Sequence, residues 1–223
     1  MTSGPDSAYR KTFSFEKKGD GRLSFPSAVR NAPFILEVLR RVLPEEGTVL
    51  EIASGSGEHA AAFAPALSPR LWLPSDCDAE RIASIRAWQK AKPASNLLPP
   101  IVLDASQARW PVEDAPPTPP ISAIVSVNLT HVAPWRVAVN LIRTAGRILP
   151  RGGILYFYGA FKAGGRHTAE SNETFDRMLR EENPEWGVRD LGEVEKAAAA
   201  AGLRLKETVS MPANNLSAVF EKV

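Results

Sequence analysis

Thr48-Val49-Leu50-Glu51-Ile52-Ala53-Ser54-Gly55-Ser56-Gly57-Glu58-His59-Ala60 reads as an apolar strand, an acidic residue, a glycine turn and the start of an alanine-rich helix. Gly55 and Gly57 carry no Cβ, so the chain turns tightly there and a ligand can lie against bare backbone. The helix that follows directs its unsatisfied N–H groups at the same spot. The stretch therefore points to a nucleotide-type cofactor site at the end of a strand. Glu51 narrows the choice, because a carboxylate at the mouth of the turn favours hydroxyl or ammonium donors and repels phosphate.

Outward from this turn, strands and helices alternate. Polar residues 1–25 form an arm, and residues 26–223 a single domain. Phe34, Ile35, Val38, Leu39, Val42 and Leu43 recur at helical spacing, with Pro33 where a first turn would begin. Thr48 to Ala53 is the first strand, Glu58 to Leu67 its crossover helix and Leu71 to Ser75 the second strand. Asp78 can cap a helix through Ile82, Ile85 and Trp88 that ends before Pro93, and Ile101 to Leu103 makes a short third strand. Residues 111–120 hold five prolines and read as a surface loop, neither helix nor inner strand. Ile121 to Val127 is an apolar strand, Val137 to Leu149 a helix and Gly153 to Gly159 a fifth strand. A polar Gly-rich loop (Lys162 to Asn172) and helices near Glu173 to Glu182 and Leu191 to Ala201 follow. Leu203 to Ser210 and Leu216 to Lys222 then form a hairpin about Met211-Pro212-Ala213-Asn214-Asn215. This order predicts an α/β fold: a doubly wound, mostly parallel, seven-stranded Rossmann-like sheet closed by an antiparallel C-terminal hairpin, with ligands beyond the carboxyl ends of the strands.

Composition bounds the function. The chain has 223 residues, 44% of them hydrophobic, and a net charge of +2 from 27 basic against 25 acidic residues. No stretch concentrates Lys and Arg, so nucleic acid and membrane surfaces are not expected partners. No apolar run approaches bilayer length and Met1 to Gly21 lacks a signal-peptide core, so a cytoplasmic location is expected. The single cysteine, Cys77, excludes an intrachain disulfide, and with only His59, His131 and His167 as imidazoles no metal site is expected.

Candidate ligand groups fall at the strand ends. Asp76 follows the second strand, where a carboxylate accepts hydrogen bonds from ribose hydroxyls. Asp104 follows the third, placed to accept a proton from an adenine amino group; Asn128 and His131 follow the fourth, and Tyr158 ends the fifth. Each has a plainer alternative. One N-cap suffices for the helix after the second strand, so Asp78 is read as the cap and Asp76 as the ligand. Asp104 stands equally as a turn residue and His131 as a satisfied structural histidine. Cys77 is read as a small wall residue, since nothing in the sequence activates its thiolate. Tyr156 and Tyr158 share a strand face, which packing alone explains. Arg166-His167 reads equally as a solvated loop tip.

The turn Gly55-Ser56-Gly57-Glu58-His59-Ala60 also satisfies G-x-G-x-x-A, so spacing alone leaves an NAD-dependent oxidoreductase open. Glu51 beside the turn and the C-terminal hairpin favour S-adenosyl-L-methionine (SAM). A non-catalytic cofactor-binding protein is the third reading, because no unambiguous base is present. The pattern Glu51-x-Ala53-x-Gly55-x-Gly57 resembles the first motif of class I SAM-dependent methyltransferases. Ala53 stands where many members have glycine, a mild departure if the turn needs no positive φ there.

Further blocks sharpen the likeness: Arg30-Asn31-Ala32-Pro33-Phe34-Ile35-Leu36, Pro74-Ser75-Asp76-Cys77-Asp78, Asn128-Leu129-Thr130-His131-Val132-Ala133-Pro134-Trp135, Tyr158-Gly159-Ala160-Phe161 and Asn183-Pro184-Glu185-Trp186-Gly187-Val188-Arg189-Asp190-Leu191. Together they resemble the DUF938 family, a class I methyltransferase-like group, over Pro26 to the C-terminus. Ala160, where proline is expected, and Leu129 and Thr130, where isoleucine or methionine is expected, are departures that bear on substrate preference. The resemblance implies methyl transfer from SAM, leaving S-adenosyl-L-homocysteine (SAH), to a small-molecule acceptor through O, N or S. It implies that Glu51, Ala53 and the Ser54 to Gly57 backbone hold the methionine part, Asp76 the ribose, Asp104 and Ala105 the adenine beside Cys77, and that Asn128 lies beside the sulfonium. Arg30 and Asn31 would roof the cleft. His131 is the candidate base, Tyr158 an acceptor-orienting group, and Trp135 and Asn172 acceptor contacts, with the Lys162 to Asn172 loop as a mobile rim.

Overall fold

The computed structural model describes residues 15–223. Seven strands form the central sheet: β3 (Thr48–Ile52), β4 (Leu71–Asp76), β5 (Ile101–Val102), β6 (Ile121–Val127), β7 (Ile154–Gly159), β11 (Leu203–Met211) and β12 (Asn215–Lys222), in the order β11-β12-β7-β6-β3-β4-β5. β5, β4, β3, β6 and β7 run parallel, and β12 is antiparallel to both β7 and β11. The antiparallel strand therefore lies inside the sheet, and β11 is the edge.

Strand alternation divides the core in two. Val49, Ala123, Val125, Tyr156 and Val219 face α1 (Pro26–Val42) and α2 (Glu58–Ala66), with Ile35, Leu39 and Phe63 fully buried against them. Leu50, Ile52, Ile124, Leu155, Phe157 and Phe220 face α6 (Trp135–Ile148), which follows the one-turn α5 (Leu129–Val132), and α8 (Leu191–Ala200) through Leu141, Ile142 and Val194. Each fully buried aliphatic or aromatic side chain stabilises the fold by roughly 1.5–3 kcal/mol. α3 (Ala79–Ala91) follows β4, with Asp78 as its N-cap accepting from the Arg81 N–H.

Several elements differ from the sequence expectation. α1 begins at Pro26, not at Pro33, because Pro26 occupies its first turn and Pro33 lies on the exposed side. The carbonyl that Pro33 leaves without a helical donor belongs to Val29, 61% exposed, where water can satisfy it. The proline-rich stretch includes a one-turn helix, α4 (Pro111–Asp114), with Pro111 at the position that needs no N–H donor and Glu113 accepting from the Trp110 N–H at 2.7 Å.

The Gly-rich segment is not a loop rim. β8 (Phe161–Ala163) and β9 (Arg166–His167) form a hairpin, and β10 (Arg189–Asp190) pairs with β8. Asp190 Oδ2 accepts from the Gly165 N–H at 2.6 Å and fastens the hairpin tip. α7 (Glu170–Glu182) starts inside the same segment.

Of the expected arm, residues 1–14 lie outside the described residues. β1 (Glu16–Lys17) and β2 (Leu23–Ser24) pair as a hairpin, and Leu23 is fully buried. The Leu23 N–H donates to Ser84 Oγ at 2.8 Å, and the Trp88 indole N–H to the Leu23 carbonyl at 2.8 Å, so this strap lies along α3.

Candidate functional site

β3 neighbours β4 on one side and β6 on the other, so the strand order reverses at β3/β6. A cavity of about 580 Å³ opens there, beyond the carboxyl ends of the strands. This is the crevice in which open α/β sheets hold ligands.

Glu51, Ala53, Ser54, Gly55, Asp76, Cys77, Asp104, Ala105, Asn31 and Asn128 all line it. Glu51 is 1% exposed and shares the α1/α2 face with Trp72, whose indole N–H donates to Oε2 at 3.0 Å. Desolvation, reinforced by the nearby Asp76 charge, raises its pKa to about 7 against the donors Trp72 and Ser54. A buried carboxylate held this way favours a cationic partner. Ser75 Oγ donates to the Glu51 carbonyl at 2.7 Å, and the Ser75 N–H to Ser54 Oγ at 3.1 Å, so the ends of β3 and β4 are held together.

The turn itself is left-handed at Ala53 (φ 56), Gly55 (φ 57) and Gly57 (φ 89). Ala53 thus occupies a conformation that glycine adopts without strain, and the substitution is not mild. Gly57 is needed for a second reason: a Cβ there would lie 2.8 Å from the Ile85 Cα, so only glycine lets α2 approach α3. Its site contribution is this close packing, since it does not line the cavity.

Asp76 Oδ2 accepts from the Gly55 N–H at 2.9 Å and Oδ1 from the Asp78 N–H at 3.1 Å. Burial raises its pKa, opposed by those donors and by the Arg81 guanidinium. Asp104 accepts from the Ser106 N–H at 2.8 Å and Gln107 Nε2 at 3.1 Å. Burial pushes its pKa up, but the Ser106 and Gln107 donors outweigh it and the carboxyl stays below its ordinary value. Cys77 opens to solvent; partial desolvation and the carboxylates of Asp76 and Asp104 push its thiol to about 11, unsuited to a nucleophile.

The remaining expected residues fall elsewhere. Arg30 is exposed and off the cavity. His131 is 1% exposed, lies edge-on to Phe175 at 5.3 Å and does not line the cavity. Burial, with the Arg189 charge, lowers its pKa to about 3, so the structure gives it no geometry or proton affinity for a base. Tyr158 is 3% exposed and is joined by a hydrogen bond to Asn31, so it reaches the cavity only through that side chain. Trp135 opens α6 and packs on the core. Asn172 is 4% exposed and donates to Thr168 Oγ1 and the Asn214 carbonyl, tying α7 to the β11–β12 turn.

Lining residues not singled out from the sequence include His59, Arg81, Phe25 and Trp186. His59 stacks on Phe63 at 5.0 Å and pairs through Nε2 with Asn31 Oδ1 at 2.7 Å; burial lowers its pKa to about 4, against a hydrogen bond with the Ala28 backbone. Its place in the first turn after Gly57 was a usable signal. Arg81 sits over the rings of Phe15 and Phe25 at 5.1 and 5.3 Å. Trp186 comes from the α7–β10 connection, which no local pattern links to the site. Arg189 holds that connection against the cavity by donating to the carbonyls of Thr130, Ala133 and Glu185.

Among the described residues no three His, Cys, Asp or Glu side chains converge as a metal site, and no helix is long and apolar enough to cross a membrane. The fold is shared with solved structures of low sequence identity. An O-methyltransferase family 2 protein from Planctomyces limnophilus DSM 3776, solved with apigenin, superposes with a TM-score of 0.73 at 19% identity over 100% of this chain and 62% of its own. CalO1, a methyltransferase in calicheamicin biosynthesis solved with SAH, gives 0.63 at 20% identity over 88% and 54%. Human N-acetylserotonin methyltransferase, solved with SAM, gives 0.69 at 12% identity over 88% and 52%. The chain thus spans between about half and three fifths of these proteins. The family pattern that matches, over residues 22–222, is described as Protein of unknown function (DUF938).

Proposed function

The chain belongs to the DUF938 family, and on that footing we propose that it is a SAM-dependent methyltransferase that methylates a small-molecule nucleophile and releases SAH. Its motifs further resemble methyltransferase-like protein 26. A cytoplasmic enzyme without nucleic-acid or membrane partners fits the charge balance.

The observation that carries this reading is the series Glu51, Asp76 and Asp104 at the ends of adjacent strands around one cavity. The three carboxylates match a ligand with an ammonium, a ribose and an adenine amino group. Glu51 and the backbone of residues 53–55 hold the amino-acid end, Asp76 the ribose, and Asp104 with Ala105 the base beside Cys77. Asn128 and Asn31 line the same cavity. The cofactor supplies an electrophilic methyl group on a sulfonium. The chain's own part is to orient donor and acceptor and exclude water, effects together worth several kcal/mol.

The same geometry argues against a pyrophosphate. A dinucleotide needs the N-terminus of α2 open, but Glu58 occupies its first turn and already accepts from Ser24 Oγ and the Phe25 N–H, both at 2.7 Å. Isothermal titration of the purified chain with SAH, NAD and NADH tests this. Saturable micromolar binding of SAH alone, weakened at least tenfold by Asp76→Ala, is expected. Binding of the nicotinamide cofactors alone would turn the reading to an oxidoreductase, and no binding to a non-catalytic protein.

A further inference from the structure

The cavity is divided by charge. Asp76, Asp78, Asp104 and Arg81 all stand on its β4–β5 side. Over β6 and β7 the lining is Asn31, Asn128, Leu129, Val132 and Trp186, bordered by Glu51 on β3 and by His59, whose Nε2 is hydrogen-bonded to Asn31 Oδ1 at 2.7 Å. Val132 and Trp186 belong to the cluster built on Ala160, directly after β7, and Asn31 is hydrogen-bonded to Tyr158 of β7, which fixes them on that side. Pro134 and Val137 belong to the opposite, base end, because Asn140 Nδ2 on α6 donates to the carbonyls of Ala105 and Gln107 at 2.7 and 2.8 Å. The uncharged end is therefore a separate wall, with Trp186 8% exposed and clamped from behind by Arg189.

From this segregation we propose, resting on the methyltransferase reading, that the acceptor is an apolar thiol that binds against Trp186, Leu129 and Val132 and is methylated as its thiolate. An amine acceptor arrives as a cation, and the carboxylate that borders this wall, Glu51, is already taken by the ammonium of the methyl donor. A phenol or alcohol needs a base to take its proton, and among the described residues none is free at this end: His131 is buried beside Phe175, and His59 Nε2 donates to Asn31 Oδ1 at 2.7 Å and so offers no lone pair there, while burial lowers its pKa to about 4. A thiolate is far more nucleophilic than an oxyanion of similar basicity, so even the small fraction of a thiol that ionises in water without help is enough to react. Its proton leaves to water. The thiolate sulfur then forms the new S–CH3 bond while the sulfonium C–S bond breaks, its electron pair staying on the departing sulfur, which gives a thioether and SAH.

The test uses the full chain with SAM and four acceptors: phenylethanethiol, phenylethylamine, ethylphenol and mercaptoacetate, with methylated product read by mass spectrometry and SAH affinity by titration. The expected result is a kcat/KM for phenylethanethiol at least about tenfold above each of the others, rising with pH along the thiol's ionisation. Trp186→Ala is expected to raise KM for phenylethanethiol about tenfold with SAH affinity unchanged, and Trp186→Phe to restore most of it. Preference for the amine, the phenol or the charged thiol would overturn the proposal, as would SAH binding with no thiol turnover, or an unchanged KM in Trp186→Ala. Failure of SAH to bind would instead remove the methyltransferase reading beneath it.

Discussion

Ala53 holds a left-handed backbone (φ 56) in the tightest part of the site, with a side chain that disfavours it. For an L-residue this conformation costs roughly 1–2 kcal/mol, against a smaller entropic penalty for glycine in the unfolded chain. Ala53→Gly is therefore expected to stabilise the protein by about 1 kcal/mol, read as a higher denaturant midpoint at unchanged slope. An unchanged midpoint would mean the turn relaxes around the methyl group. This feature was illegible in the sequence, since a residue's type does not fix the sign of its φ. The cavity positions of Glu51, Asp76 and Asp104 were legible for the opposite reason: each lies at or just beyond the carboxyl end of its strand, where open α/β sheets hold ligands. His131 misled because a histidine after a strand reads the same whether it faces the cavity or, as here, the packing under Phe175.

Among the elements, the strap of residues 22–25 bears on the glycine turn through shared acceptors. Glu58 takes hydrogen bonds from Ser24, Phe25 and Ser56, and Ser84 Oγ accepts from Leu23 while donating to the Ser56 carbonyl at 2.6 Å. Phe25 at its end forms part of the cavity wall. Hydrogen bonds to an ionised carboxylate are worth roughly 1.5–3 kcal/mol each, so Glu58→Ala should free the strap. We expect faster amide exchange at Leu23 and Phe25 and a roughly tenfold loss of SAH affinity, with a smaller loss in Glu58→Gln. Unchanged exchange at those two amides would show that packing of Leu23 alone holds the strap. The sequence offered only a polar arm here, because its anchoring partners lie on α2 and α3, remote along the chain. The small β8–β9–β10 sheet was missed likewise, as strands of two or three residues carry no period.

For the whole molecule, stability and binding are linked to pH through buried groups. The folded-state pKa of Glu51 is about 7 against an ordinary 4.5. The sign is that of a raised acid: its contribution is present below the ordinary value and is lost as pH rises through about 7. His59 and His131, lowered to about 4 and about 3 from 6.5, act oppositely, contributing above 6.5 and losing that contribution as pH falls. Without ligand, Glu51→Gln should therefore gain thermal stability relative to the parent as pH rises from about 5 to about 7, measured by calorimetry at matched pH. A difference independent of pH would place the Glu51 titration outside this window. An ammonium ligand at Glu51 favours its ionised form, so SAH affinity of the parent should weaken below about pH 7.

The sheet's order was only partly readable. Ala218, Val219 and Phe220 are fully buried in an unbroken run, the mark of an inner strand, whereas β11 alternates with exposed residues as an edge does. β12 is thus synthesised after both of its neighbours and must slip between them. A nascent chain halted anywhere before residue 215 presents β7, carrying the apolar row of residues 154–158, as a raw edge. Such an edge invites pairing with a neighbouring chain on the same message. Insertion of β12 therefore decides whether β7 is covered within its own sheet or stays open to a neighbouring chain.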